Sequence, residues 1–207
     1  MRSKIALVAL AIVVALAIGA ILRTRKAPFP SDHTPEGAYL RIALDVAEGR
    51  MKDAFPYLET EAQWSAYAIR DSRAKACARI RASYPVAVAG AGSPSPDRAL
   101  RDELLNAYTP LADAPDGADV FALFAEQKGW TRRLRRDLSG VARVETDGER
   151  ASVVTARGTR YPFRKRDNGI WGLTIFTADL VAESQRAARD LAVVNEAADD
   201  YDRARSP

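Results

Sequence analysis

Residues that carry chemistry are scarce in this sequence. One histidine (His33), one cysteine (Cys77) and two methionines occur in 207 residues. A lone cysteine excludes an intrachain disulfide. No P-loop, zinc-ligand spacing or Ser/His/Asp set is present. Asp199, Asp200 and Asp202 crowd together, but without the glycine turn and ligand alternation of a calcium loop they read as solvated charges near the chain end. His33 falls in a short spacer, where a solvated linker residue is the plain reading, and Cys77 lies among alanines as a small packed or half-exposed residue. Asp45, Asp53 and Glu59 are nominal acids, none raised above the others. No catalytic, cofactor or metal residue is expected.

Charge excludes a further class. The net charge is +4, yet residues 1–26 hold Arg2, Lys4, Arg23, Arg25 and Lys26 and no acid. The remainder carries 26 basic and 27 acidic residues, so the high pI gives no reason to expect nucleic-acid binding. Aromatic residues interleaved with the basic ones for base stacking are also few.

What is present begins with Ile5 to Leu22, an unbroken run of 18 apolar or small residues between basic clusters. As a helix it would reach roughly 27 Å, close to the thickness of a bilayer's hydrocarbon core. A cleaved signal would use Ala15-Leu16-Ala17, which lies inside the apolar run with no polar stretch before it. An uncleaved signal-anchor helix needs no such site, and residues 1–26 are read as one. The short basic head before the run is the usual export arrangement, which places the rest of the chain outside the cytoplasm.

Residues 27–34 form a Pro-containing spacer. Thr34-Pro35-Glu36 then has the cap, first-turn proline and first-turn acid of a helix start, and Gly49 stands where a terminating glycine belongs. A short helix or turn is expected over Met51–Leu58. A long helix from Thr60 to Ser83 should carry Trp64, Tyr67, Ala68 and Ala78 on one side. Val86–Pro96 reads as a flexible loop. Helices over Arg98–Tyr108, Asp119–Gln127 and Thr131–Leu138 follow, with a loop at Pro110–Gly117.

Val141 to Thr177 holds the dense β signal: four short strands with turns at Asp147-Gly148, Arg157-Gly158 and Asp167-Asn168-Gly169. A three-residue third turn pairs Arg166 with Ile170, Phe163 with Leu173 and Tyr161 with Ile175. A two-residue first turn at Asp147-Gly148 sets Glu145 against Arg150 and Val144 against Ala151. The tail from Thr177 to Arg203 is an amphipathic helix whose stripe is Leu180, Ser184, Ala187, Leu191, Val194, Ala198 and Tyr201. It can cover the sheet, pack elsewhere on its own domain, or make a weak self-associating coil.

The order of helices followed by a meander ending in G-x-W-x-L-x-x-F carries a family resemblance. TPEGAYLRIALDVAEGRMKDAFPYLETEAQW resembles the opening helices, and DGERASVVTARGTRYPFRKRDNGIWGLTIF the closing strands, of the cone-shaped α+β superfamily named for nuclear transport factor 2. The resemblance covers Thr34 to Thr177. It implies an α+β fold with residues 35–177 as a cone-like domain and 178–207 as an appended helix and tail. That superfamily includes isomerases, hydratases, binding modules and envelope proteins, so it selects no single function.

The remaining feature is basic: Arg132, Arg133, Arg135 and Arg136 around Leu134, and Arg164, Lys165 and Arg166, with Arg160 nearby. Ordinary solvated surface is one reading. The other is a surface for an anionic partner, an envelope protein or polymer. The expectation is a single-pass protein of the bacterial inner (plasma) membrane with a non-catalytic binding or assembly domain. The alternative is a small-ligand enzyme using a cone cavity.

Overall fold

A computed structural model describes residues 29–85 and 96–206. The chain divides between Ser31 and Asp32, and the second unit holds every element described here. In chain order these are α1 (Pro35–Ala47), a 3-10 helix (Met51–Tyr57), α2 (Thr60–Ser83), α3 (Pro96–Ala112), α4 (Gly117–Gln127), α5 (Trp130–Asp137), β1 (Val141–Asp147), β2 (Arg150–Thr155), β3 (Arg160–Lys165), β4 (Trp171–Leu173) and α6 (Thr177–Arg205). The architecture is α+β, with one antiparallel sheet in the order β1-β2-β3-β4 and a long closing helix. The proposed signal-anchor segment lies outside the described residues. No helix among the described residues is long and apolar enough to cross a membrane.

Local chemistry sets the ends of α1. The Thr34 hydroxyl accepts from the Gly37 N–H at 3.1 Å, satisfying one orphan donor of the first turn. At the other end Gly49 takes φ +78°, its N–H donates to Val46 O, and the Arg50 N–H donates to Asp45 O at 2.7 Å. These two bonds are the Schellman closure that a left-handed glycine permits. Helix α4 starts at Gly117, earlier than the expected Asp119, because Asp116 caps it through the Asp119 N–H. Helix α3 continues through Pro110 to Ala112, where a loop is expected.

Turn chemistry fixes the sheet. In the third turn Gly169 has φ +82°, Arg166 N donates to Ile170 O, and Gly169 N donates to Arg166 O. This is the expected three-residue loop, and Phe163 pairs with Leu173. Tyr161 does not meet Ile175, because β4 ends at Leu173 and the chain turns into α6; Tyr161 pairs with Val153 instead. The first hairpin is shifted from expectation. Its loop is Gly148-Glu149, so Asp147 faces Arg150, Glu145 faces Ser152 and Val144 faces Val153. Among the residues of this turn Gly148 alone has positive φ, which suits a turn needing glycine first, whereas an Asp-Gly loop needs both residues there.

One face of the sheet is apolar: Ala151, Val153, Tyr161, Phe163 and Leu173 are buried. Helix α1 covers it, with the Tyr39 ring 5.4 Å from that of Tyr161. The Tyr39 hydroxyl also donates to Ser139 O and accepts from Ser139 N, fixing the approach to β1. Phe121, Trp130 and Phe176 fill the space beside this layer, with Trp130 and Phe176 stacked at 4.5 Å.

Helix α2 buries Ala62, Ala66, Ile69, Arg73, Ala76 and Ile80, spaced by four and three. The side carrying Trp64 and Tyr67 faces outward: Trp64 is 69% exposed and Tyr67 45%. Small side chains win here because α6 runs along α2, and alanines let two long helices approach closely. The α6 stripe is as expected, with Leu180, Ala187, Val194 and Ala198 buried, and its main neighbour is α2, not the sheet. A second small core forms where Ile80 and Tyr84 meet Val194, Ala198 and the partly buried Leu104, Leu105 and Tyr108 of α3.

Candidate functional site

The structure divides the expected basic surface into two groups. Arg157, in the β2–β3 turn, donates to the carbonyl of Arg136, so the α5 arginines lie at that end of the sheet. Arg164, Lys165 and Arg166 close the other end of β3, roughly 20 Å away along the strand. Within the first group Arg135 donates to Val46 O at 3.1 Å and so caps α1. Arg136 pairs with Asp137 at 2.8 Å; the bond holds the Asp137 carboxyl below its ordinary range and raises the guanidinium. Arg132 and Arg133 are exposed and make no ion pair among the described residues.

The second group is built into the fold. Arg166 donates to Pro56 O at 2.7 Å and to Thr60 Oγ1 and Gln63 Oε1 at 3.3 Å, fastening the β3–β4 turn to the start of α2. Burial pulls its pKa down. Arg164 Nη1 lies 2.6 Å from Glu59 Oε1, an ion-pair distance at an angle away from ideal hydrogen-bond geometry. Lys165 is exposed.

Glu59 is the acid the fold singles out. Its side chain is 7% exposed, and the Thr177 hydroxyl donates to its Oε2 at 2.8 Å. It stands just before α2, and Thr177 begins α6, so the clip joins the starts of two helices. Its N–H donates to Leu173 O at 3.1 Å, tying it to β4. Glu59 also borders an open groove of about 500 Å³ on the outer face of the sheet, shared with Glu145, Arg150, Ser152, Pro162 and Arg164. Glu145 bridges Arg160 at 2.5 Å and Arg143 at 2.8 Å, which depresses its pKa. The groove therefore offers an ordered, mixed-charge surface.

Asp45 and Asp53 both engage Arg50, at 2.8 and 2.9 Å, beside the end of α1. Asp199 and Asp202 face Arg79, and Asp200 faces Arg203. Cys77 is fully buried, and burial raises its thiol pKa. The His33 ring is mostly exposed, but its backbone is no loose linker: the Trp171 indole N–H donates to His33 O at 3.1 Å, and Trp171 N donates to Asp32 O.

Two features escaped sequence reasoning. Arg73 is 7% exposed, 2.7 Å from Asp190 of α6 and 4.1 Å from the Tyr108 ring centre of α3, so one cation joins three helices. Its position on the alanine-isoleucine spine was the available signal. The second is a cleft of about 350 Å³ between Trp64, Tyr67 and the Arg166–Asn168 turn. On α2 the buried side is the one carrying Ala62, Ala66 and Ile69, and Trp64 and Tyr67 stand away from it.

These elements define an α+β protein with a buried carboxylate clip and open external grooves. No family model, curated protein or solved structure matches the chain.

Proposed function

We propose that this is a membrane-tethered binding or assembly module that performs no chemistry itself, its soluble domain outside the cytoplasm. The observation that carries the reading is the filled interior. Tyr39, Phe121, Phe163 and Phe176 fill the space between helices and sheet that the enzyme reading would need as a cavity, and each is at most 2% exposed. The described concavities open outward instead. The apolar run at residues 5–22 supports the tether, and the resemblance to the nuclear transport factor 2 superfamily remains part of the same proposal.

The partner is an anionic envelope protein or polymer met by Arg132 and Arg133, the exposed α5 arginines that make no ion pair among the described residues. Arg135 is excluded from the test because it caps α1. The full chain, cross-linked in membranes and recovered with its partner, should lose salt-sensitive capture in the Arg132→Glu/Arg133→Glu variant. Undiminished capture by that variant at low salt would overturn the partner site.

A second reading has one observation in its favour: Glu59 is a buried acid on a groove of ligand size. An isomerase- or hydratase-like reaction there would need the Glu59 carboxylate to move a proton. A small ligand whose turnover disappears in Glu59→Gln would replace the binding-module reading.

A further inference from the structure

The third turn of the sheet touches two things at once. Asp167 and Asn168 line the cleft with Trp64 and Tyr67, and the next residue, Gly169, packs against the His33 ring. A Cβ at Gly169 would lie 2.7 Å from His33 Nδ1. The chain thus enters this unit, at Asp32–His33, beside the cleft. Residues 23–31 separate Asp32 from the end of the apolar run at Leu22, a path of at most about 35 Å when extended. The first face such a tether brings toward a bilayer is the one around its attachment point.

That face has the chemistry of a water–lipid boundary. Trp64 exposes 69% of its surface, and Tyr67 stands edge-on to it at 6.5 Å. Both rings combine an apolar body with a polar handle, the combination enriched at membrane interfaces. Tyr67 is held firmly, packing on Phe55 at 5.8 Å and against Gly117, and Trp64 stands one turn before it in α2. A scattered exposed aromatic residue is ordinary. Two adjacent ones on one helix, near the point where the chain enters at Asp32–His33, are a directed surface. Arg166 supplies a cation in the cleft, while Asp167 is an acid there and Glu61 stands three residues before Trp64 on the helix, so apolar burial is the main attraction rather than charge.

We propose that the Trp64–Tyr67 face docks on the bilayer surface, seating the domain with the β3–β4 turn toward the lipid. This rests on the tether proposed above. Docking at this face leaves the separate Arg132–Arg133 group, at the far end of β3, available to a partner.

Tryptophan fluorescence tests it without a fragment. Trp130 and Trp171 are 3% and 5% exposed, so Trp64 is the reporter in the full chain, with Trp64→Phe as the blank. The chain is reconstituted into phosphatidylcholine vesicles, with and without brominated acyl chains, and its flotation with the vesicles is checked. The expected result is quenching of Trp64 by brominated lipid and several-fold weaker acrylamide quenching in vesicles than after proteolytic release from them. Both should be nearly independent of salt. Val193→Trp in the Trp64→Phe background places the reporter on the exposed side of α6, where acrylamide quenching should persist and lipid quenching be absent. A chain that floats while Trp64 stays open to acrylamide and untouched by brominated lipid overturns the docking face but keeps the tether. A chain that fails to float overturns both. Protection in native membranes without protection in protein-free vesicles gives the face to a protein partner and overturns the lipid assignment.

Discussion

Glu59 leaves Gly172 no room for a side chain: a Cβ there would lie 2.7 Å from the Glu59 Cα and 2.8 Å from its backbone nitrogen. Those neighbours are main chain and cannot rotate away, so β4 meets the start of α2 only with glycine at this position. Gly172→Ala should cost about 3 kcal/mol or more by forcing the Glu59 N–H away from Leu173 O. Chemical denaturation of the purified chain measures it. A cost below about 0.5 kcal/mol would mean the contact gives way easily.

The pair of buried Arg73 and half-buried Asp190 should respond asymmetrically. Asp190→Ala leaves a guanidinium uncompensated between three helices and should destabilise by about 3 kcal/mol, whereas Arg73→Met with Asp190→Leu should come close to neutral. Unfolding curves of the two variants decide it. Equal losses would show that packing around Arg73, not charge, sets the cost.

Helix α2 offers a test of which side faces in. Trp64→Ala should change stability by no more than about 0.5 kcal/mol, while Ile69→Ala should cost about 3 kcal/mol despite removing a smaller side chain. The reverse order in a thermal melt would make the aromatic side the buried one.

Alkaline pH should loosen the layer between α1 and the sheet. Burial first, then the neighbouring Tyr39, push the Tyr161 hydroxyl up to about 12 from an ordinary value near 10. The folded state therefore holds this proton more tightly than the unfolded chain. Its stabilising contribution is fully present below about pH 10 and is lost as pH rises toward 12. Ultraviolet titration should find Tyr161 ionising late, and Tyr161→Phe should flatten the stability loss over that window. An unchanged profile in Tyr161→Phe would assign the alkaline loss to other groups.

Much of the local structure was legible because its causes lie within a few residues. Thr34-Pro35 capped α1 as its side chain and ring dictate. The Asp167-Asn168-Gly169 turn gave Arg166–Ile170 and Phe163–Leu173, since one glycine at positive φ sets the pairing of the strands it joins. The first hairpin was less legible, because Asp-Gly and Gly-Glu are both plausible loops there and differ only in which residues take positive φ. The basic residues were legible as charges but not as a surface. Whether Arg135 is a cap or a contact depends on Val46, which is 89 residues away.

The sequence by itself determined the ends of α1, the third turn of the sheet, the strand order and the apolar stripe of α6, because each follows from backbone sterics and periodicity over neighbouring residues. Tertiary structure alone decided that Ala62, Ala66 and Ile69 go inside while Trp64 and Tyr67 stay out. It also decided that Glu59, one acid among 27 acidic residues, is held between Arg164 and Thr177. The reason is physical: which helix face is buried, and which charge is enclosed, depends on how closely a distant element such as α6 or β4 can approach, and no local pattern encodes that distance.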